Sequence, residues 1–267
     1  MLAPIQTNFH PNFSANLNSP RLNLSQKDFF IRIRGYGRNI IWADKNKEVT
    51  DVAVNLLRNK TSGENVLKYI VSGIIKANKF TFDSSKRKNT GILRTSRHQW
   101  TNGSYDREVY TAYESGRYSG YKERFDEVHK KPLKAIDKNL AMSRPNKFQD
   151  IDHGAPELIN FSLNYVFDLF NEKYSKFLVK DVKQSDLPEI MDVVAEIRWV
   201  LAHATPWLRG SDAIANVFMR AMLKAVGVKA YRPAKDVSFD LEAYCRELDD
   251  YKKNFSNFFE KPPVVVE

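Results

Sequence analysis

With a single cysteine, Cys245, in 267 residues, the chain lacks both an internal disulfide framework and the thiolates of a multi-cysteine zinc site. Placed between Tyr244 and Arg246 in a helical pattern, that thiol reads as packed, because a reactive one needs an exposed electropositive setting. Glycine and proline are sparse, 11 each, which excludes collagenous and low-complexity chains. Nowhere does an apolar run approach the roughly 18 residues of a membrane span. The N-terminus has neither the charged start and apolar core of a secretory signal nor the Met-Gly of a myristoylated protein. These absences predict a soluble protein in reducing surroundings, with 42% hydrophobic residues to build a core.

Acidic residues are also in short supply. Against 42 Lys and Arg stand 32 Asp and Glu, a formal net charge of +10. Positive potential of that size attracts polyanions, so where it sits decides what it means. Ser84 to Lys147 holds fifteen Lys and Arg against seven Asp and Glu, a net +8. Five tyrosines (105, 110, 113, 118 and 121) lie among those charges. The basicity is therefore regional and predicts a recognition lobe at about 84–147, formed of loops and short strands. Tyrosines there can stack on a base or on a protein partner. A nucleic-acid ligand ranks last, because no groove-reading or stacking motif of known spacing accompanies the charge.

Along the chain, residues 1–27 are rich in Asn, Ser and Pro without period, and predict a disordered leader. Asp28–Asp44 alternates through Phe29, Ile31 and Ile33 and turns at Gly35-Tyr36-Gly37 toward Ile40-Ile41-Trp42, a hairpin pattern. Thr50 and Asp51 read as the cap of a helix ending near Gly63, and Glu64–Asn78 as a second helix. Apolar residues at helical spacing predict helices from Pro156 to about Lys176, over Asp186–Leu201, over Ser211–Val226, and as one continuous helix over Ser238–Phe259. The fold class is thus mainly α, with residues 28–267 forming a single domain that carries a small irregular or β-containing lobe.

One loop carries chemistry: His203-Ala204-Thr205-Pro206-Trp207-Leu208-Arg209-Gly210-Ser211-Asp212, between two amphipathic helices. Free amides of a helix's first turn carry partial positive charge. Gly210 permits close approach, and Arg209 adds a planar fork suited to phosphate or carboxylate. Together they make an anion cradle, or else simply a capped helix with a surface arginine.

The stretch from Ile190 to Tyr244 resembles the C-terminal half of the AvrB family of bacterial type III effectors. The resemblance rests on Trp199 in a helix, Pro206 before Arg209-Gly210-Ser211, an Ala-rich helix ending at Gly227, and Asp240-Leu241-Glu242-Ala243. It covers roughly residues 150–250, with Asp152-His153 upstream. The family's proline stands two residues before its arginine, whereas Pro206 stands three before Arg209. The resemblance implies a Fido-like helical body, related to the Fic and Doc proteins that transfer parts of nucleotide cosubstrates to proteins. It also implies secretion into a host cell, with residues 1–27 as a secretion signal, and action in the host cytoplasm.

Fic enzymes place a catalytic His, an acidic metal ligand and a Gly-Asn-Gly anion hole in the corresponding loop. Here no acid precedes Gly210, and His203 lies three residues before Pro206, so no metal is expected. The AvrB branch is associated instead with glycosyl transfer, specifically rhamnosylation, from a nucleotide-sugar to a host protein. Carried over by motif, Arg209, Gly210, Ser211 and Asp240 are expected to bind the nucleotide or nucleotide-sugar donor. Arg209, Asp240 and His203 are the candidate catalytic residues. Asp240 has a structural alternative as a helix-start carboxylate. The competing functions are Fic-like nucleotidyl transfer (AMPylation) and non-catalytic binding of a host protein.

Overall fold

A computed structural model describes residues 22, 24–32, 39–81, 89–95, 119–146 and 151–266. Its described residues form eight α-helices and two small two-stranded sheets, so the fold is mainly α as the periodicity requires. Helix α1 (Ile40–Arg58) and helix α2 (Gly63–Thr81) pack on each other, and α1 also packs on the helix that follows the Arg-Gly-Ser loop. After α3 (Lys122–Lys130), strands β1 (Arg144–Pro145) and β2 (Ile151–Asp152) pair antiparallel, with Arg144 opposite Asp152.

Helix α4 (Ile159–Leu169) continues through a π-turn to Tyr174 and a 3-10 turn to Leu178. Then come α5 (Leu187–Ala204), α6 (Ser211–Ala225), α7 (Phe239–Tyr244) and α8 (Leu248–Asn254). Strand β3 (Val228–Lys229) follows α6 and pairs antiparallel with β4 (Val264–Val265) near the C-terminus.

Helix α5 is the axis of the molecule. Every residue from Met191 to Ala204 is buried except Asp192, and α4, α6, α7 and α8 pack around it. A helix hydrophobic all round must lie inside, and α5 carries Ile190, Val193, Val194, Ile197, Val200 and Leu201 together with Trp199 and Ala202. Tyr121, Phe125, Leu140 and Ile151 join the same core. The C-terminal part of the basic stretch is therefore packed into the body. Its remaining tyrosines, 105 to 118, lie outside the described residues.

Three local expectations are corrected. The hairpin over Asp28–Asp44 is absent among the described residues: Gln26–Phe29 is a 3-10 turn, and Ile40-Ile41-Trp42 is the first turn of α1. Asn39 caps that turn by accepting the Trp42 amide at 2.9 Å, and the Trp42 indole donates to Asn78 Oδ1 at 2.9 Å. Tertiary anchoring of Trp42 thus overrides its strand propensity. For the same reason Thr50 and Asp51 are inside α1 rather than at its start, and the Thr50 hydroxyl donates back to the Asn46 carbonyl at 2.7 Å.

The single helix expected over Ser238–Phe259 is broken into α7, α8 and a 3-10 turn at Phe255–Phe258. Glu247, with ψ 155°, leaves the helical region between the two helices. The break lets Phe239, Tyr251, Phe255, Phe258 and Phe259 pack on one another at centroid distances of 5.1 to 6.3 Å, an aromatic cluster that one straight helix would splay.

Candidate functional site

The loop between α5 and α6 is a tightly specified turn. Helix α5 ends at Thr205, which adopts φ 40° and ψ 60°. A non-glycine residue in the left-handed region costs about 1 kcal/mol, so the surroundings must hold it. They do: the Thr205 hydroxyl donates to the Ala202 carbonyl at 2.8 Å. Buried Arg94 donates to the carbonyls of Thr205 and Ala204 at 3.1 and 3.0 Å, a cation set on the negative end of the α5 dipole.

Asn89–Thr95 runs along the loop like a strand. Gly91 donates to the Arg209 carbonyl at 3.1 Å, Leu208 to the Ile92 carbonyl at 2.8 Å, and Arg94 to the Pro206 carbonyl at 2.9 Å. Gly91, at φ +73°, has room for no side chain, since a Cβ would lie 2.6 Å from Ile75.

Gly210 then turns the chain into α6 at φ +88°, and its carbonyl accepts the Ile214 amide at 2.8 Å. Ser211 braces the turn, with its hydroxyl donating to the Trp207 carbonyl at 2.9 Å and accepting the Trp207 amide at 3.0 Å. The Ser211 side chain is therefore committed to the loop, which leaves its backbone amide as its contribution to an anion. Arg209 is half-buried immediately before this helix start. Arg209 and Gly210 thus stand directly before the first turn of α6, whose free amides carry partial positive charge.

Helix α7 reaches the same place from the other side. Asp240 accepts the Ser238 hydroxyl and the Leu241 amide (2.8 Å) on Oδ1. Its Oδ2 accepts no hydrogen bond from the described residues. Between Asp240 and the α6 start stands Arg198, fully buried on α5. Arg198 forms an ion pair with Asp212, donates from Nε to Asn216 Oδ1 at 3.2 Å, and lies 6.0 Å from the Phe239 ring.

Burial works to lower the Arg198 pKa, but Asp212, Tyr251 and Asp240 outweigh it and hold the guanidinium charged. Its Nη1 has no hydrogen-bond partner among the described residues. Tyr244 closes the cluster, 3.4 Å from the Thr205 hydroxyl and donating to the Ala202 carbonyl at 3.2 Å. Burial, and after it the charge of Asp240, push its pKa up.

The structure thus brings Asp240 and Asp212 of the first turn of α6 to Arg198, while Arg209, Gly210 and Ser211 form the turn that opens α6. His203 it sets apart. The imidazole is buried, 4.1 Å from the Trp199 ring, with Nδ1 2.7 Å from the Ser143 carbonyl and Nε2 3.1 Å from that of Ala243. Burial lowers its pKa to about 4 against the opposing pull of those two carbonyls. Ser143 wraps the other side by donating its amide and hydroxyl to the His203 carbonyl at 3.0 and 2.6 Å. Both ring nitrogens face protein; the neutral ring donates its one N–H to one of these carbonyls and packs α5 against α7 and the β1 approach.

Glu242 is also structural. Arg124 grips it with two bonds of 2.8 and 2.9 Å, and Tyr121 and Arg246 each donate at 2.8 Å. Burial opposes its ionisation, yet these donors hold its pKa below the usual carboxylate range. Tyr121 is consequently buried and hydrogen-bonded, and unavailable for stacking. Cys245 fits its expectation, since burial pushes the thiol up to about 12.

Sequence reasoning missed Arg198 and Arg94. Arg198 had a visible signal, a charge four residues after Val194 within the apolar stripe of α5. Arg94 had none, because its role depends on a contact with a helix more than a hundred residues away.

The fold is a mainly helical body built around the buried helix α5. Residues 114–262 match the family of AvrB/AvrC avirulence proteins, more than half of the chain. No curated protein matches the chain. The chain belongs to the AvrB/AvrC avirulence family and is a bacterial effector that meets its target in a host. No helix among the described residues is long and apolar enough to cross a membrane.

Proposed function

We propose that this effector transfers a glycosyl group, rhamnosyl-like in character, from a nucleotide-linked donor to a hydroxyl of a host protein after type III secretion. The observation that supports it best is that Arg198 links the first turn of α6, through Asp212, to Asp240 on α7. In the reaction, the bond from the sugar's anomeric carbon to the diphosphate oxygen breaks and a bond to the acceptor oxygen forms.

Negative charge then grows on the departing diphosphate, where Arg209 and the amides of Gly210 and Ser211 stabilise it. The acceptor's proton passes to Asp240, which keeps Oδ2 for the purpose while Ser238 and Leu241 fix Oδ1. Arg198 offsets one of the two negative charges of Asp240 and Asp212, and Arg209 supplies the further positive charge that lets the diphosphate approach. The Fido-like body and the recognition lobe at 84–147 belong to the same reading.

The test uses host-cell extract, full-length protein and nucleotide-sugars radiolabelled in the sugar. Wild type should place label on a protein band, and Asp240→Ala should remove it while retaining donor binding. Label that appears equally with Asp240→Ala and Arg209→Ala would refute the site. Absence of label with every donor, alongside a stable complex with a host protein, would favour a non-catalytic effector.

A further inference from the structure

A second cationic site lies away from the loop, nine residues along α6 from its first residue, or about 14 Å. Arg220 is 3% exposed. Its Nη1 has no hydrogen-bond partner among the described residues, and its Nη2 reaches the Tyr231 carbonyl only at 3.4 Å. A guanidinium buried with a missing partner is costly, because each lost hydrogen bond is uncompensated. Unlike Arg198, it has no carboxylate in ion-pair contact among the described residues, and Asp28 on the cleft wall offsets its charge only from a distance.

Arg220 lines a cleft of about 280 Å³, together with Leu22, Leu24, Lys224, Lys229 and Tyr231. The charges around it are uneven. Lys224 is paired with Asp51 at 2.6 Å, and Asp28, on the cleft wall, accepts the Ser25 amide at 2.6 Å. Lys229 and Lys261 both lie over the Tyr231 ring, at 5.3 and 5.6 Å. Glu260 nearby is bound to Arg232 and Arg32.

One wall is Leu22, Leu24 and Asp28, and neighbouring residues hold this segment to the body. Phe29 packs on the Arg220 guanidinium at 5.5 Å, Gln26 donates to Asp44 at 2.7 Å, and Arg32 donates to the Pro233 carbonyl at 3.0 Å. Arg220 and Lys229 on the lining, with Lys261 beside Tyr231, thus face the single carboxylate of Asp28 in a cleft too small for a polymer.

We propose that this cleft binds the phosphate group of a small phosphorylated ligand on Arg220, with Lys229 on the lining and Lys261 beside Tyr231, and that binding ties residues 24–29 to the body. The site is independent of Arg209. Burial holds the Arg220 pKa down near 10, which still leaves it charged at neutral pH. A phosphate in the cleft adds an anionic acceptor beside the guanidinium and compensates positive charge beyond what Asp28 supplies.

The test uses full-length Arg209→Ala protein, so that the α6 cradle does not contribute, and inorganic phosphate as the probe. At phosphate about 100-fold above Kd, the melting temperature should rise by at least about 5 °C. The same phosphate should slow tryptic cleavage after Lys27, which is exposed on the leader. Adding Arg220→Met should abolish the site-specific rise, leaving only the general effect of a kosmotropic anion.

Should the Met variant fail to fold, the exposed pair Lys229→Gln and Lys261→Gln gives the second reading, a loss of phosphate affinity of at least about 3-fold. Vesicles containing phosphatidic acid form a further arm: pelleting that depends on Arg220 assigns the phosphate to a lipid headgroup, and a response to free phosphate alone assigns it to a soluble ester. Equal phosphate shifts in the parent and in both variants, with unchanged cleavage at Lys27, would overturn the proposal.

Discussion

Lowering the pH from 6.5 to 4 should remove about 3 kcal/mol of folding stability through one side chain, His203. Buried against Trp199 and Tyr244 at centroid distances of 4.1 and 5.6 Å, the imidazole is held neutral down to a pKa of about 4, against an ordinary value of 6.5. Between those values the unfolded chain binds a proton that the folded chain refuses, so stability is full above pH 6.5 and falls as pH falls. The slope is about 1.4 kcal/mol per pH unit, which over the interval gives about 3 kcal/mol.

The assay is urea unfolding at half-unit pH steps, for wild type and His203→Gln. Gln carries no titrating group, so the difference between the two stability curves should narrow by about 3 kcal/mol on acidification. A ring NMR titration of His203 gives the same answer directly. Parallel curves, or a folded-state midpoint near 6.5, would refute the account of a walled-in neutral imidazole. They would return His203 to the list of groups that exchange protons with a substrate.

Four further outcomes follow from the geometry. Glu242→Ala should destabilise by about 3 kcal/mol in chemical denaturation, because it removes both acceptors of Arg124 and one partner each of Arg246 and Tyr121, which keep Asp250 and the Asp236 carbonyl; a loss under 1 kcal/mol would contradict the network. Gly210→Ala should cost about 1–2 kcal/mol from its φ of +88°, with a Cβ 3.2 Å from Thr90 adding strain. Hydrogen exchange should then quicken at Gly91 and Leu208, the amides that tie the 89–95 segment to the loop.

Cys245, raised to about 12 from 9.0, should react with iodoacetamide at pH 8 about 1000-fold more slowly than the same thiol in urea; comparable rates would exclude the packed thiol. Arg209→Ala should weaken nucleoside diphosphate-sugar binding at least about 10-fold, the loss expected for a charge-assisted contact of about 1.5–3 kcal/mol.

Helix periodicity made α2, α4, α5 and α6 legible, because each carries an apolar stripe that only burial satisfies. The Arg209-Gly210-Ser211 start of α6 was legible for the same local reason, a glycine able to adopt positive φ beside a helix N-terminus. What sequence missed depended on distant partners. Ile40-Ile41-Trp42 reads as a strand by propensity and becomes helix because Trp42 finds Asn78 on α2. Asp240 could be matched by motif, but its tie to the α6 start runs through Arg198, whose charge-bearing role appears only once α5 is buried. His203 stood in the conspicuous loop motif, yet its two carbonyl partners come from Ser143 and Ala243, sixty residues before it and forty after it.

The most direct test of the central claim is calorimetric titration of UDP- and dTDP-linked hexoses and deoxyhexoses into wild type, Arg209→Ala and Arg220→Met. The account predicts saturable binding of one donor to wild type and Arg220→Met, weakened at least about 10-fold in Arg209→Ala. Equal affinity in all three, or binding lost only in Arg220→Met, would contradict a donor site at the N-terminus of α6.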